Sequence, residues 1–186
     1  MADNVSLESY IDLGIRARKS IELGQVRELA GRIIRAARNG GKLITFGNGG
    51  SAADAQHFVG ELDGHFTRER SAIPAVCLST NTSSLTAIGN DYSYDDVFFR
   101  PISALCSNND VVVGISTSGN SRNVLKAIEE ANRKGAFTVG LTGKSGGKLA
   151  GIASMAVKVD SDFTPIIQEA HITFIHMVCL AMDQML

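Results

Sequence analysis

At 186 residues, 44% hydrophobic and 20% charged, the chain has an ordinary globular composition. Its length suits one domain that buries roughly 70% of its unfolded surface. The formal net charge is -1 and the 18 Lys and Arg form no block, which argues against nucleic acid or a membrane surface as the main partner.

The opening "MADNVSLESYIDLG" carries neither the basic region nor the apolar core of a signal peptide. Across residues 7–38, Ile11, Ile15, Ile21, Val26, Leu29, Ile33 and Ile34 recur at spacings of three and four. This predicts amphipathic helix in two segments with a break near Gly24, ended by "NGGK". Such a helix pair packs either on its own sheet or against other subunits. Short apolar runs follow, namely "KLITFG", "IPAVCLS", "DVVVGIS", "AFTVGLTG" and "MAVKVD", and they read as strands. Helical patterns separate them at residues 52–62, in "SSLTAIGN", at 120–134 and near 148–153, and a last helix is expected over 165–186. The apolar text "ITFIHMVCLAM" is too short to span a bilayer, and His171, His176 and Asp183 interrupt or flank it. Cys77, Cys106 and Cys179 lie far apart in apolar runs without CxxC spacing, so buried reduced thiols in a cytoplasmic protein are expected.

Apolar strands alternating with helices predict a parallel sheet covered on both faces, a doubly wound α/β sandwich. The whole chain, 1–186, reads as one domain. A helical arm over 1–38 suits oligomer packing, and the α/β core covers 42–186.

Such sheets bind ligands at the carboxyl ends of their strands. The four loops there read "GNGGS", "STNTSS", "STSGNS" and "TGKSGG", which suggests a pocket of hydroxyls and backbone amides suited to a sugar or phosphate. The first loop matches GxGxxA, yet the second strand ends in Ser, Thr and Asn, without the acidic residue that a ribose needs. No nucleotide cofactor is expected. The fourth loop fails the Walker pattern at Thr138 and reads as a tight turn. In the third, Ser116, Thr117, Ser118 and Ser121 precede an amphipathic helix, and hydroxyls at a helix N-terminus make an anion site. Helix capping would use only one such residue. His57 and Glu61 stand one turn apart on the helix after the first loop. Gln168 and His176 share a face of the last helix, so the two pairs could converge on one ligand or metal ion.

Taken together, "GNGGSAADAQHFVGEL", "TAIGNDYSYDDVF", "GISTSGNSRNVLKAIEEA", "GLTGKSGG" and "IQEAHITFIH" resemble the sugar isomerase (SIS) domain family, and within it the phosphoheptose isomerases. The resemblance covers nearly the whole chain. It implies a flavodoxin-like SIS fold and conversion of D-sedoheptulose 7-phosphate into D-glycero-D-manno-heptose 7-phosphate, towards the heptose of lipopolysaccharide core. It assigns phosphate to Ser116, Thr117, Ser118 and Ser121. The sugar falls to Asn48, Gly49, Gly50, Ser51, Asn90 and Asp91, with Glu61 and Gln168 also on substrate. Glu61 and His176 become the catalytic pair, and His57, Glu61, Gln168 and His176 the ligands of a zinc ion. Homotetramers with active sites at subunit boundaries are implied as well. Two positions depart from the pattern: Thr164-Pro165 replace a charged pair, and His65 stands where many members carry arginine. Some relatives with similar text are non-catalytic partners of a replication initiator, and they typically lose the acidic or histidine positions retained here. An isomerase or sensor for another phosphosugar is the remaining alternative.

Overall fold

The structure, a computed structural model, describes residues 5–186; the first four residues of the predicted helical arm lie outside them. Helix α1 (Leu7–Lys19) begins at Ser6, whose hydroxyl accepts from the Ser9 amide. Helix α2 (Leu23–Arg38) follows after a break at residues 20–22, earlier than the sequence suggested. Gly24 instead lies in the first turn of α2. The chain turns at Ser20 because its hydroxyl donates to Ala17 O at 2.7 Å and accepts from Asp160 N at 2.9 Å, while Ile21 turns inward.

Five parallel strands form one sheet: β1 (Leu43–Gly47), β2 (Ala75–Cys77), β3 (Val111–Ile115), β4 (Phe137–Thr142) and β5 (Met155–Lys158). Their order is β2-β1-β3-β4-β5. Between and after them run α3 (Gly50–Asp63), α4 (Thr82–Asp91), α5 (Phe99–Leu105), α6 (Arg122–Arg133), α7 (Leu149–Ile152) and α8 (Thr164–Met185). This is the doubly wound sandwich expected. Helix α5 was not foreseen, and it contains Pro101. This proline falls in the first turn, where an amide has no intrahelical partner to lose.

Successive strand residues face opposite sides. Leu43, Val111, Val113, Ile115, Val139 and Leu141 pack with α2, α3 and α8. Ile44, Phe46 and Val112 pack with α5, α6 and α7 on the other side. Neighbouring strands β1 and β3 leave the sheet towards different layers, and their register pairs Leu43 with Val111 and Gly47 with Ile115. The crevice at this switch point is where such folds seat ligands. Cys77, Cys106 and Cys179 are free and buried, as expected.

Helix α8 is apolar and long enough to cross a membrane by composition, yet it packs on α1, α2 and α3 and buries His171 and Asp183. It is the core helix of the sandwich. His171 is fully buried, and its Nε2–H donates to Thr142 O at 3.1 Å. Burial pushes its pKa down to about 4, against the pull of that bond. The unfolded chain therefore takes up a proton below the ordinary value near 6.5 that the folded chain refuses until about pH 4. The histidine's contribution is fully present above 6.5 and is lost as pH falls towards 4. We expect the stability gap between wild type and His171→Gln in urea unfolding to narrow by about 2 kcal/mol from neutral pH to about 4.5. A pH-independent gap would show that His171 titrates normally.

Candidate active site

The loop after β1 turns on Gly49, whose φ of 56° favours glycine, and enters α3 without a side-chain cap. Gly50 also has to be small: a Cβ there would lie 2.5 Å from Gln168 Nε2, so α8 rests its glutamine on this backbone. Ser51 is buried beneath the turn. Asn48 exchanges two amide hydrogen bonds with Asn123 of α6, at 3.0 and 2.9 Å, and accepts a third from the Tyr94 hydroxyl at 3.0 Å. These bonds bridge the crevice between the β1 and β3 loops.

After β3, Ser116 Oγ lies 2.9 Å from Ser121 Oγ and 3.5 Å from Ser118 Oγ. Ser121 is the N-cap residue of α6, but its side chain does not cap the helix, and the Asn120 side chain bonds Ser118 O instead. None of these hydroxyls caps α6, although Ser118 Oγ accepts from Asn120 N at 3.1 Å and Ser116 Oγ from Ser121 N at 3.4 Å. The hydroxyls gather, with Thr117, at a helix end whose first amides and dipole favour an anion.

The other two loops do different work from that expected. Ser79 closes on Gly47, donating to its carbonyl at 3.0 Å and accepting from its amide at 3.2 Å, while Asn81 caps α4. The text "TGKSGG" supports the serine loop from below. Gly143 N donates to Thr117 O at 2.9 Å and Leu149 N to Gly119 O at 2.9 Å. Ser79 and Asn81 after β2, and the main chain after β4, are therefore spent on holding their turns.

Helices α3 and α8 run side by side, Gly50 beside Gln168 and His57 beside His176. His57 Nε2 lies 2.8 Å from Glu61 Oε1 and 3.5 Å from His176 Nε2. One donor atom from each of the three falls within 4.8 Å of the others, a group able to hold a metal ion. The His57 and His176 rings meet edge to face at 5.0 Å, and Phe66 packs 5.5 Å from His176. Gln168 stands eight residues before His176, about 12 Å along the axis, with its side-chain amide against Gly50. Asn90 and Asp91 are exposed at the end of α4, bonded to each other at 2.8 Å, just before the segment that carries Tyr94. His65 is exposed, and Thr164-Pro165 open α8. A cavity of about 570 Å³ between α4 and α5, lined by Ile88, Phe99 and Leu105 among others, does not include the cluster.

Residues 10–143 match the SIS domain profile. A probable phosphoheptose isomerase of Thermoplasma volcanium is 55% identical over 179 residues, 96% of this chain and 91% of that protein. The phosphoheptose isomerase of Geobacter metallireducens is 55% identical over 83% of this chain and 82% of its own. The solved phosphoheptose isomerase of Neisseria gonorrhoeae superposes with a TM-score of 0.88 at 40% identity, covering 95% of this chain and 97% of that one. The chain belongs to the phosphoheptose isomerase family. Against that family's reading, the sequence left Asn123, Tyr94 and Asp54 unnoticed. Asp54, one turn before His57, keeps a buried Oδ2 with no partner among the described residues, and burial lifts its pKa to about 6 against the pull of His57. An i, i+3 scan of α3 would have found it.

Proposed function

We propose that the chain interconverts D-sedoheptulose 7-phosphate and D-glycero-D-manno-heptose 7-phosphate, as a cytoplasmic step towards a heptose-containing glycan. The observation that carries this reading is the meeting of Glu61 and His176, a carboxylate and an imidazole brought together from two helices, with His57 between them. Aldose–ketose isomerisation needs a base for a carbon acid and a proton carrier between two oxygens. Glu61 takes a proton from C1 and, after exchange with solvent at its carboxylate, delivers a proton to C2, while His176 passes a hydroxyl proton from O1 to O2. The hydroxyls of Ser116, Thr117, Ser118 and Ser121 hold the phosphate. Asn48, Gly49, Gly50, Ser51, Asn90, Asp91 and Gln168 line the sugar chain.

The donor set fits zinc. Tetrahedral Zn–N bonds of about 2.0–2.1 Å put neighbouring ligand atoms roughly 3.4 Å apart, close to the 3.5 Å between the two histidine nitrogens. His57, Glu61 and His176 would be three of its ligands, with Gln168 the fourth group that the family resemblance assigns to the ion. Bound there, the ion would supply Lewis-acid polarisation of the sugar carbonyl.

Within one chain Glu61 stands eleven residues down α3 from Gly50, about 16 Å of helix axis from the loop end of the crevice. A site shared between copies, with loops from one and the histidine–glutamate cluster from another, closes that distance and supports a homotetramer. The exposed stripe Leu7, Ile11 and Ile15 on α1 gives such an assembly an apolar face. The test is a substrate panel with and without a chelator, together with sizing. We expect turnover of sedoheptulose 7-phosphate over hexose 6-phosphates, its loss on chelation with recovery by zinc, and an oligomer at micromolar concentration. An active monomer would overturn the shared site, and no turnover of any phosphosugar would favour a binding protein.

A further inference from the structure

Segment 64–74, between α3 and β2, holds a buried ion pair that the chemistry above does not use. Arg70 and Asp183 have side chains only 8% and 1% exposed, and Arg70 Nε lies 3.2 Å from Asp183 Oδ1. The rest of the guanidinium bonds the end of α3 and, through Nη1, the Ser71 carbonyl at 3.2 Å. Its Nη2 donates to the Glu61 carbonyl at 2.6 Å, and Nη1 donates to the Leu62 carbonyl at 3.1 Å. Last-turn carbonyls have no intrahelical donors, so Arg70 completes this helix end. Asp183 is equally occupied: its Oδ2 accepts from Thr67 N at 2.9 Å, Thr67 Oγ1 at 2.8 Å and Arg68 N at 3.2 Å. Burial works against its charge, and these donors outweigh burial, holding its pKa below the usual carboxylate value.

The pair joins the two helices that carry the proposed chemistry. Asp183 lies seven residues after His176, two turns on and on the same face of α8. Arg70 bonds the main chain of Glu61 itself. Between them the same segment lays Phe66 against the His176 ring. A buried ion pair is weak support for stability, because desolvation offsets most of its attraction. Its value here lies in register.

We propose that Arg70 and Asp183 are positioning residues of the isomerisation, fixing the last turn of α3, and with it Glu61, relative to His176. The inference rests on the reading of Glu61 and His176 as the catalytic pair. A displacement of about 1 Å can cost two orders of magnitude in rate, which is the scale of effect at issue.

The test compares Asp183→Asn, Arg70→Met and Arg70→Lys with wild type, Glu61→Gln and a control, Asp110→Asn. The control breaks another pair with a buried carboxylate, in which Asp110 accepts from Lys42 Nζ at 2.9 Å and from Ser107 N at 2.7 Å beside the start of β3. We expect Asp183→Asn and Arg70→Met to lose about 10- to 100-fold in kcat for sedoheptulose 7-phosphate, with KM within about threefold, since the serine loop is untouched. Arg70→Lys should recover part of the loss. Asp110→Asn should lower Tm while leaving kcat unchanged. Should Asp183→Asn fail to fold, the two Arg70 variants carry the same comparison. Folded variants with wild-type kcat, or an equal kcat loss in Asp110→Asn, overturn the inference. An inactive wild type, or a fully active Glu61→Gln, overturns the catalytic reading and this inference with it. Loss in Glu61→Gln alone overturns only the positioning role.

Discussion

Glu61→Gln is expected to lower kcat by about 100- to 10,000-fold, the range that general acid–base catalysis contributes. Glutamine keeps the shape and can still meet His57, so the Glu61 side chain, 19% exposed, loses little packing. What disappears is the only carboxylate of the three-residue cluster and hence its base. Steady-state kinetics on sedoheptulose 7-phosphate, with urea unfolding to establish the fold, check this. KM should move little, because the phosphate is proposed to sit on the β3 loop. Near wild-type turnover in a folded Glu61→Gln would remove the carboxylate from the mechanism.

Gly119→Ala should be the most damaging change in the serine loop. Gly119 has a φ of 65°, which costs an L-residue about 1–2 kcal/mol. The added methyl would also lie 2.1 Å from the Gly146 carbonyl oxygen and 2.9 Å from Gly147 N, both main chain. Neither can give way without unseating the loop that braces Thr117 and Gly119 from below. We expect a loss of about 3 kcal/mol or more in urea unfolding and at least a tenfold rise in KM. Wild-type stability in Gly119→Ala would mean that the two loops are not locked together.

Much of the fold is legible in the sequence because its strands are buried on both faces and so read as short, almost wholly apolar runs. Where reading failed, the deciding contact was distant. The break between α1 and α2 depends on Ser20 meeting Asp160, 140 residues away, so local text pointed to Gly24 instead. The hydroxyls after β2 and β4 look like those after β3, and only the structure shows which of them are spent within their own turns. His57 and Glu61 declare themselves by helical spacing alone. His171 and His176 lie in the same apolar text, and the difference between them is tertiary: one is sealed against Thr142, the other meets His57. The Arg70–Asp183 pair, 113 residues apart, has no local signature at all.

The central claim is that this chain moves a proton along a seven-carbon sugar phosphate through Glu61. The most direct measurement is proton NMR of sedoheptulose 7-phosphate in deuterated water with the purified protein. The account predicts an aldose product carrying deuterium at C2, formed by wild type and slowed in parallel with kcat in Glu61→Gln. No aldose from wild type, or the same labelled product at the same rate from Glu61→Gln, would contradict it.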